Sequence, residues 1–219
     1  MSDISNGLKL IENLSAQNNL RQKISELESS LRQKNLNEIK EQLRNDQIAA
    51  EILKTALQIK DVVGQINTII HTWGIFISLP YILSPEELVE YVSLGAGNTG
   101  RLFDLKTTQR VAEFKFITWK GGSESIRQNS LFKDFYNLVE NGGNLKKYLY
   151  VTGTEHPIRF FQGTRSLKSV LSKDRKLSEL FFEKHQDKFR TVNEYYHNFQ
   201  NSVSIVDLRS IVPEFSKIK

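Results

Sequence analysis

The chain has 219 residues, no cysteine and a formal net charge of +5 at pH 7. This length suits one globular domain with an extension. The lack of cysteine excludes disulfides and thiolate zinc sites and fits a reducing, cytoplasmic location. The chain start lacks the features of a signal peptide, and the most apolar region, 66–83, is interrupted by polar residues, so we expect no membrane partner.

The positive charge is concentrated in the C-terminal half. Residues 120–219 contain 17 basic and 11 acidic side chains. A basic half suits a polyanionic partner such as nucleic acid. An ordinary solvated surface explains so modest an excess equally well.

Residues 1–60 are predicted to form a helical extension. Their apolar residues alternate at spacings of four and three, as a coiled-coil seam requires. These are Leu20, Ile24, Leu27 and Leu31, followed after a slip of one position by Leu36, Ile39 and Leu43. The segment 7–60 is therefore a candidate for homodimerisation or for binding a partner protein, and a helical arm folded back on the domain is the alternative.

The remaining residues, 61–219, are predicted to form one domain that begins with an apolar helix over 61–83. Ser84, Pro85 and Glu87 carry the signals of a helix start, so a second helix is expected to run to about Ser93. The loop 95–100 matches the pattern G-x-G-x-x-G. A dinucleotide site needs a strand before this loop and a long helix after it, so we expect no such cofactor.

Two strand-like segments follow, and both carry charges among apolar residues. Asp104 lies in the segment 101–105, and Glu113 and Lys115 lie in the segment 111–119. Because side chains alternate faces along a strand, Glu113 and Lys115 point the same way. Charges in such strands are costly unless they are paired or bound to a metal. The alternative is an ordinary hairpin with a Glu–Lys pair and a solvent-facing aspartate.

Helices and strands continue to the end of the chain. The predicted helices are 124–140, 166–171, 177–185 and 192–199, and the predicted strands are 148–151 and 203–208. This order predicts an α/β fold, with a mixed central sheet flanked by helices.

The pair Phe103-Asp104 followed by Glu113-Phe114-Lys115 resembles the PD-(D/E)XK superfamily, the nucleases built like restriction enzymes. The proline that often precedes the first acid is replaced by Phe103. The resemblance implies a restriction-endonuclease-like core over roughly 84–170. It also implies that Asp104, Glu113 and the backbone carbonyl of Phe114 hold Mg²⁺ or Mn²⁺, and that Lys115 orients or polarises the attacking water.

Further residues are assigned through the same resemblance. Glu90 corresponds to a glutamate that reaches the metal in many members, and Gln128 to a glutamine that contacts the active site in some. Arg101, Arg127 and Lys133 are candidate nucleic-acid contacts. A surface position is the alternative for each of these side chains.

The expected function is therefore metal-dependent hydrolysis of phosphodiester bonds in nucleic acid, with DNA favoured by analogy with the family. No HExxH motif, nucleophile elbow or P-loop points to another hydrolase class. One rival hypothesis is a non-catalytic subunit that binds nucleic acid or assembles with other proteins through its helical arm. A second is a subunit whose cleavage activity requires another protein.

Overall fold

The structure is a computed structural model that describes residues 9, 19–32, 34–45, 47–95, 100–116 and 124–216. It separates into two compact units, residues 1–66 and 67–219. The division falls inside a long helix, whereas the sequence predicts a boundary after residue 60.

The described residues of the N-terminal unit are mostly helical. Helices α1 and α2 are Asn19–Leu31 and Leu36–Asn45, and α3, Gln47–Ile82, begins in this unit. Asn35 and Glu38 cap α2 reciprocally, because Asn35 Oδ1 accepts from the Glu38 N–H and Glu38 Oε2 accepts from the Asn35 N–H. This cap separates two helices where the apolar spacing slips. The helices are confirmed, and the coiled-coil pairing stays a prediction.

The C-terminal unit is built around a five-stranded mixed sheet. Its strands are β1 Val89–Val92, β2 Leu105–Thr107, β3 Arg110–Lys115, β4 Lys146–Val151 and β5 Ser204–Asp207. They lie in the order β1–β2–β3–β4–β5. The pairs β1–β2 and β2–β3 are antiparallel, while β4 runs parallel to β3 and β5 parallel to β4. The predicted α/β class with a mixed sheet is therefore confirmed.

Helices connect and cover these strands. The helix that links β3 to β4 is α4, Ser125–Asn141, and it is followed by α5 Glu155–Phe161, α6 Leu167–Leu171, α7 Arg175–His185, α8 Val192–Phe199 and α9 Pro213–Ser216. A parallel strand pair needs such a crossover connection. The predicted helices from residue 124 onward are confirmed, and α5 is one that the sequence did not predict.

The sheet separates two hydrophobic clusters, and β3 contributes alternately to both. Val111 packs with the cluster that contains the apolar face of α4, while Ala112 and Phe114 pack with the cluster that contains Ile75 of α3. Because Glu113 is two residues from Val111, its side chain belongs to the α4 side of the sheet. The alternation predicted for this strand is confirmed over its described residues.

The predicted helix over residues 84–93 is wrong. The Ser84 N–H does donate to Glu87 Oε2, but the chain then extends into β1. Valine and tyrosine favour a strand, and Val89 to Val92 pair with β2, so sheet pairing prevails over the local helix-start signal.

Several predicted features lie outside the described residues. They include the end of the second motif strand from 117 to 119 and the centre of the loop 95–100. Among the helices that the structure does describe, none has the length and apolar character to cross a membrane.

Candidate active site

Asp104 lies at the entrance to β2 and is fixed from two sides. Its carboxylate Oδ2 accepts a hydrogen bond of 2.9 Å from the backbone N–H of Phe114 in β3. Its backbone carbonyl accepts one of 2.7 Å from the N–H of Ser93. The sequence places Asp104 inside a strand, whereas the structure begins the strand at Leu105. The side chain nevertheless reaches the motif strand, as the resemblance requires.

Glu113 is a buried carboxyl group next to Asp104. Only 6% of the residue is exposed, although its neighbours along β3 are largely apolar. Burial raises the pKa of Glu113 well above its usual value, and the nearby Asp134 and Asp104 carboxylates raise it further. A hydrogen bond between the Glu113 and Asp104 carboxyl groups contributes to the same increase. The Lys115 ammonium partly offsets this increase.

Lys115 ends the motif strand and points to the same side of the sheet as Glu113. Its Nζ lies 2.6 Å from Oδ2 of Asp134 on α4. Burial lowers the pKa of Lys115, but the carboxylates of Asp134 and Glu113 outweigh this and raise it above the usual value. The group is therefore an ammonium ion at neutral pH, held beside the two acids of the motif.

His71 of α3 completes the group. Its Nε2 lies 3.3 Å from Oδ1 of Asp104, so both oxygens of that carboxylate have a neighbour. Burial lowers the pKa of His71. The Asp104 carboxylate opposes this decrease, and the Lys115 ammonium adds to it. The imidazole is therefore neutral at neutral pH and can accept a proton or donate its own N–H.

These side chains border one cleft with a volume of about 1400 Å³. The acids Asp104, Glu113, Asp134 and Asp174 line it together with the cations Arg101, Lys115, Arg127, Lys133 and Lys176. A cleft of this size holds a segment of a polymeric ligand as readily as a small molecule. Its cations provide attraction for a polyanion around the acidic centre.

Three predicted nucleic-acid contacts line this cleft. The guanidinium of exposed Arg101 lies 4.6 Å from the ring centre of Tyr91. Arg127 pairs with Glu124, and Lys133 pairs with Asp174 at 2.8 Å. The Lys133–Asp174 pair is largely exposed and pairs of this kind are weak, so a phosphate can replace Asp174 as the partner of Lys133.

Glu90 and Gln128 are not brought to the acids. Glu90 lies in β1 rather than on a helix, and its Oε2 pairs with Lys106 Nζ at 2.7 Å. Gln128 does lie on α4, but its Oε1 accepts from Arg165. Neither residue lines the cleft. The helix that was expected to present Glu90 is a strand, which is the physical reason for its different position.

His71 and Asp134 are the site residues that sequence reasoning missed. Asp134 could have been found, because it occupies the buried face of α4 between Leu131 and Leu138 at helical spacing. An acid on an otherwise apolar helix face needs a buried cationic partner. His71 gives a weaker signal, since a lone histidine in an apolar helix does not indicate which side chain it will meet.

Asp104 and Glu113 are the residues that could hold a magnesium ion. Mg²⁺ is usually held by one or two carboxylates and keeps several waters. The two adjacent carboxyl groups, one of them buried and destabilised as an anion, supply such a donor set. Within the part of the chain that the structure describes, no group of three or more His, Asp or Glu side chains is arranged to hold a metal. Phe114 also lines the cleft, and its carbonyl as a third ligand stays a prediction.

The chain matches no protein-family model, no curated protein sequence and no solved structure.

Proposed function

We propose that this protein is a metal-dependent nuclease that hydrolyses phosphodiester bonds, with DNA as its substrate. The observation that carries the proposal is the convergence of Asp104, Glu113 and Lys115 on one cleft. The sequence motif alone predicts these three residues.

The local architecture supports the resemblance to the PD-(D/E)XK superfamily. A short strand follows Asp104, a turn at 108–109 leads into the longer strand β3, and the crossover helix α4 comes next. That succession is the one expected for the restriction-endonuclease-like core. The strands β2 and β3 pair with each other, and Asp104 directly precedes β2 while Glu113 lies in β3.

In the proposed mechanism, Asp104 and Glu113 would hold Mg²⁺, which supplies a water of lowered pKa and neutralises charge on the phosphate when bound. Lys115 presents a fixed positive charge beside the two acids. It would orient the attacking water or stabilise the oxygen on which negative charge develops. His71, neutral and in contact with Asp104, limits the rotation of that carboxylate.

Positive side chains around the acids support a polyanionic substrate. Arg101, Arg127, Lys133 and Lys176 border the cleft outside the acidic centre. Phosphate contacts of this type bind and orient nucleic acid without reading its sequence. DNA rather than RNA is the choice by analogy with the family. The N-terminal helices are proposed to mediate assembly, either with a second copy or with a partner protein.

A cleavage assay tests this proposal. Purified protein is incubated with linear and circular DNA and with RNA, in Mg²⁺, in Mn²⁺ or in a chelator. We expect DNA cleavage that requires the metal and is lost in the chelator. Cutting of the circular substrate would identify an endonuclease. Binding without cleavage in every metal would instead favour the non-catalytic subunit.

Two variants with matched controls assign any activity to the site. Glu113→Gln and Lys115→Met should each reduce cleavage by roughly 100-fold or more, because each removes a charge at the reacting centre. Glu155→Gln and Lys168→Met change the same residue types at exposed positions away from the cleft and should cut normally. Cleavage by Glu113→Gln at the wild-type rate would exclude the mechanism.

A further inference from the structure

We propose that Asp134 is a positioning residue, which holds the Lys115 ammonium in place beside the two acids of the cleft. The expected effect of Asp134 on the cleavage rate rests on the proposed nuclease function. Its expected effect on the stability of the folded protein does not, so experiments can contradict one and support the other.

The geometry of the pair supports this role. Lys115 Nζ and Asp134 Oδ2 are 2.6 Å apart, and the side chains of Lys115 and Asp134 are only 18% and 12% exposed. Lysine has a long side chain whose head group moves freely unless something holds it. A charged partner at hydrogen-bond distance in a largely buried setting restricts that motion.

The fold gives Asp134 a rigid base. It lies on the buried face of α4, whose neighbouring side chains Leu131 and Phe135 are fully buried. The same helix is the crossover between β3 and β4, so it is anchored to the strand that carries Lys115. Side chains on a packed helix are placed more accurately than those on loops, and accuracy is what a catalytic ammonium group requires.

Asp134 does not duplicate the motif acids. It belongs to α4, whereas Asp104 directly precedes β2 and Glu113 lies in β3, and its close partner is the Lys115 ammonium group. Its neighbouring residue on the same helix, Lys133, forms a second ion pair with Asp174. The side chains of Lys133 and Asp174 are 49% and 35% exposed, so this pair serves as a matched control of similar geometry with greater solvent exposure.

A double-mutant cycle on the metal-free protein tests the pairing without any cleavage assay. Lys115→Met and Asp134→Asn should each lower the melting temperature by on the order of 10 °C, because each leaves a buried charge without its partner. The double variant should lose clearly less than the sum of the two single losses. The control cycle, Lys133→Met with Asp174→Asn, should show coupling of only about 2 °C or less. Strictly additive losses at Lys115 and Asp134 would overturn the proposal.

A kinetic cycle tests the effect on catalysis. Asp134→Asn should reduce kcat by roughly 10- to 100-fold, as the loss of a supporting residue does, and leave KM nearly unchanged. In the Lys115→Met background the same substitution should change kcat by less than about twofold. An equal reduction in both backgrounds would mean that Asp134 acts independently of Lys115. If the wild type cuts no nucleic acid while the melting temperatures are coupled, the nuclease function fails and the pairing stands.

Discussion

The Asp104 carboxylate accepts a hydrogen bond of 2.9 Å from the backbone N–H of Phe114, which joins the two parts of the motif directly. Phe114 lies between Glu113 and Lys115, so the bond fixes the first acid against the strand that carries the other two groups. The bond occupies Oδ2, while Oδ1 lies near His71. The position of Asp104 is therefore set before any ligand binds.

Asp104→Asn should strongly reduce the rate of cleavage and leave the fold intact. The asparagine oxygen can still accept the Phe114 N–H, but it lacks the negative charge that would hold a divalent cation. We expect a rate loss of roughly 100- to 1,000-fold, measured with Mg²⁺, and an unchanged circular dichroism spectrum. Asp104→Ala should also unfold more easily, by about 1–2 kcal/mol, because it leaves that N–H without an acceptor. Magnesium-dependent cutting by Asp104→Asn at the wild-type rate would contradict this role.

Glu87→Gln should destabilise the protein strongly, whereas Glu90→Gln should not. Glu87 is a buried carboxylate that accepts from Arg110 Nε and Nη2, each at 2.6 Å. Removing one partner of a buried ion pair costs about 3–5 kcal/mol, because the other charge stays buried. Glu90 forms an exposed pair with Lys106, for which the expected cost is at most about 1 kcal/mol. Urea unfolding of both variants provides the comparison, and similar losses would contradict it.

Glu87 should also make the stability of the protein depend on pH. Burial alone would raise the pKa of Glu87, but hydrogen bonds from Arg110, Thr107 and the Ser84 N–H outweigh it and hold the pKa below 4.5. The stabilisation by ionised Glu87 is therefore complete above pH 4.5 and is lost as the pH falls through the lower, folded-state value. The difference in unfolding free energy between wild type and Glu87→Gln should be constant near neutrality and shrink in acid. A difference that grows in acid would contradict a lowered pKa for Glu87 in the folded protein.

Two glycines of α3 provide a matched pair for substitution. At Gly64 an added Cβ meets nothing within 4 Å, so Gly64→Ala should stabilise the helix by about 0.5–1 kcal/mol. At Gly74 the Cβ would lie 2.6–2.8 Å from ring atoms of Phe116. That ring packs against Phe114 and Phe215, so it has little freedom to move away. Gly74→Ala should therefore destabilise by about 1–2 kcal/mol in urea unfolding, and a gain at Gly74 would contradict the packing.

Lys133→Ala should weaken nucleic-acid binding with little dependence on base sequence. Lys133 borders the cleft beside the acids, and a phosphate contact there would release one counterion. We expect the slope of log affinity against log salt to fall by about one, measured by fluorescence anisotropy at several salt concentrations. Lys168→Ala, an exposed lysine that does not line the cleft, should bind as the wild type does. Equal salt slopes for wild type and Lys133→Ala would show that Lys133 does not contact a phosphate.

The central pair of strands was the most predictable part of the molecule. Alternation along the strand places Glu113 and Lys115 on one face, and this depends only on the geometry of an extended chain. The long amphipathic helix α4 was equally clear, because its apolar residues repeat at helical spacing. The convergence of Asp104 with these residues follows from pairing between the two segments.

The parts that the sequence did not reveal depend on contacts between distant segments. Glu90 and Gln128 were assigned to the site from helix positions, but Lys106 and Arg165 bind them elsewhere. The partners of His71 and Asp134 were hidden for the same reason, since the rotation of a helix against a sheet is set by the whole packed interface.

One continuous stretch, residues 104–134, contains Asp104, Glu113, Lys115 and Asp134. The four residues lie close in sequence because α4, the crossover helix that leads from β3 to the parallel strand β4, also lines the cleft. Exchange of that one stretch between related genes would move four interacting charges together.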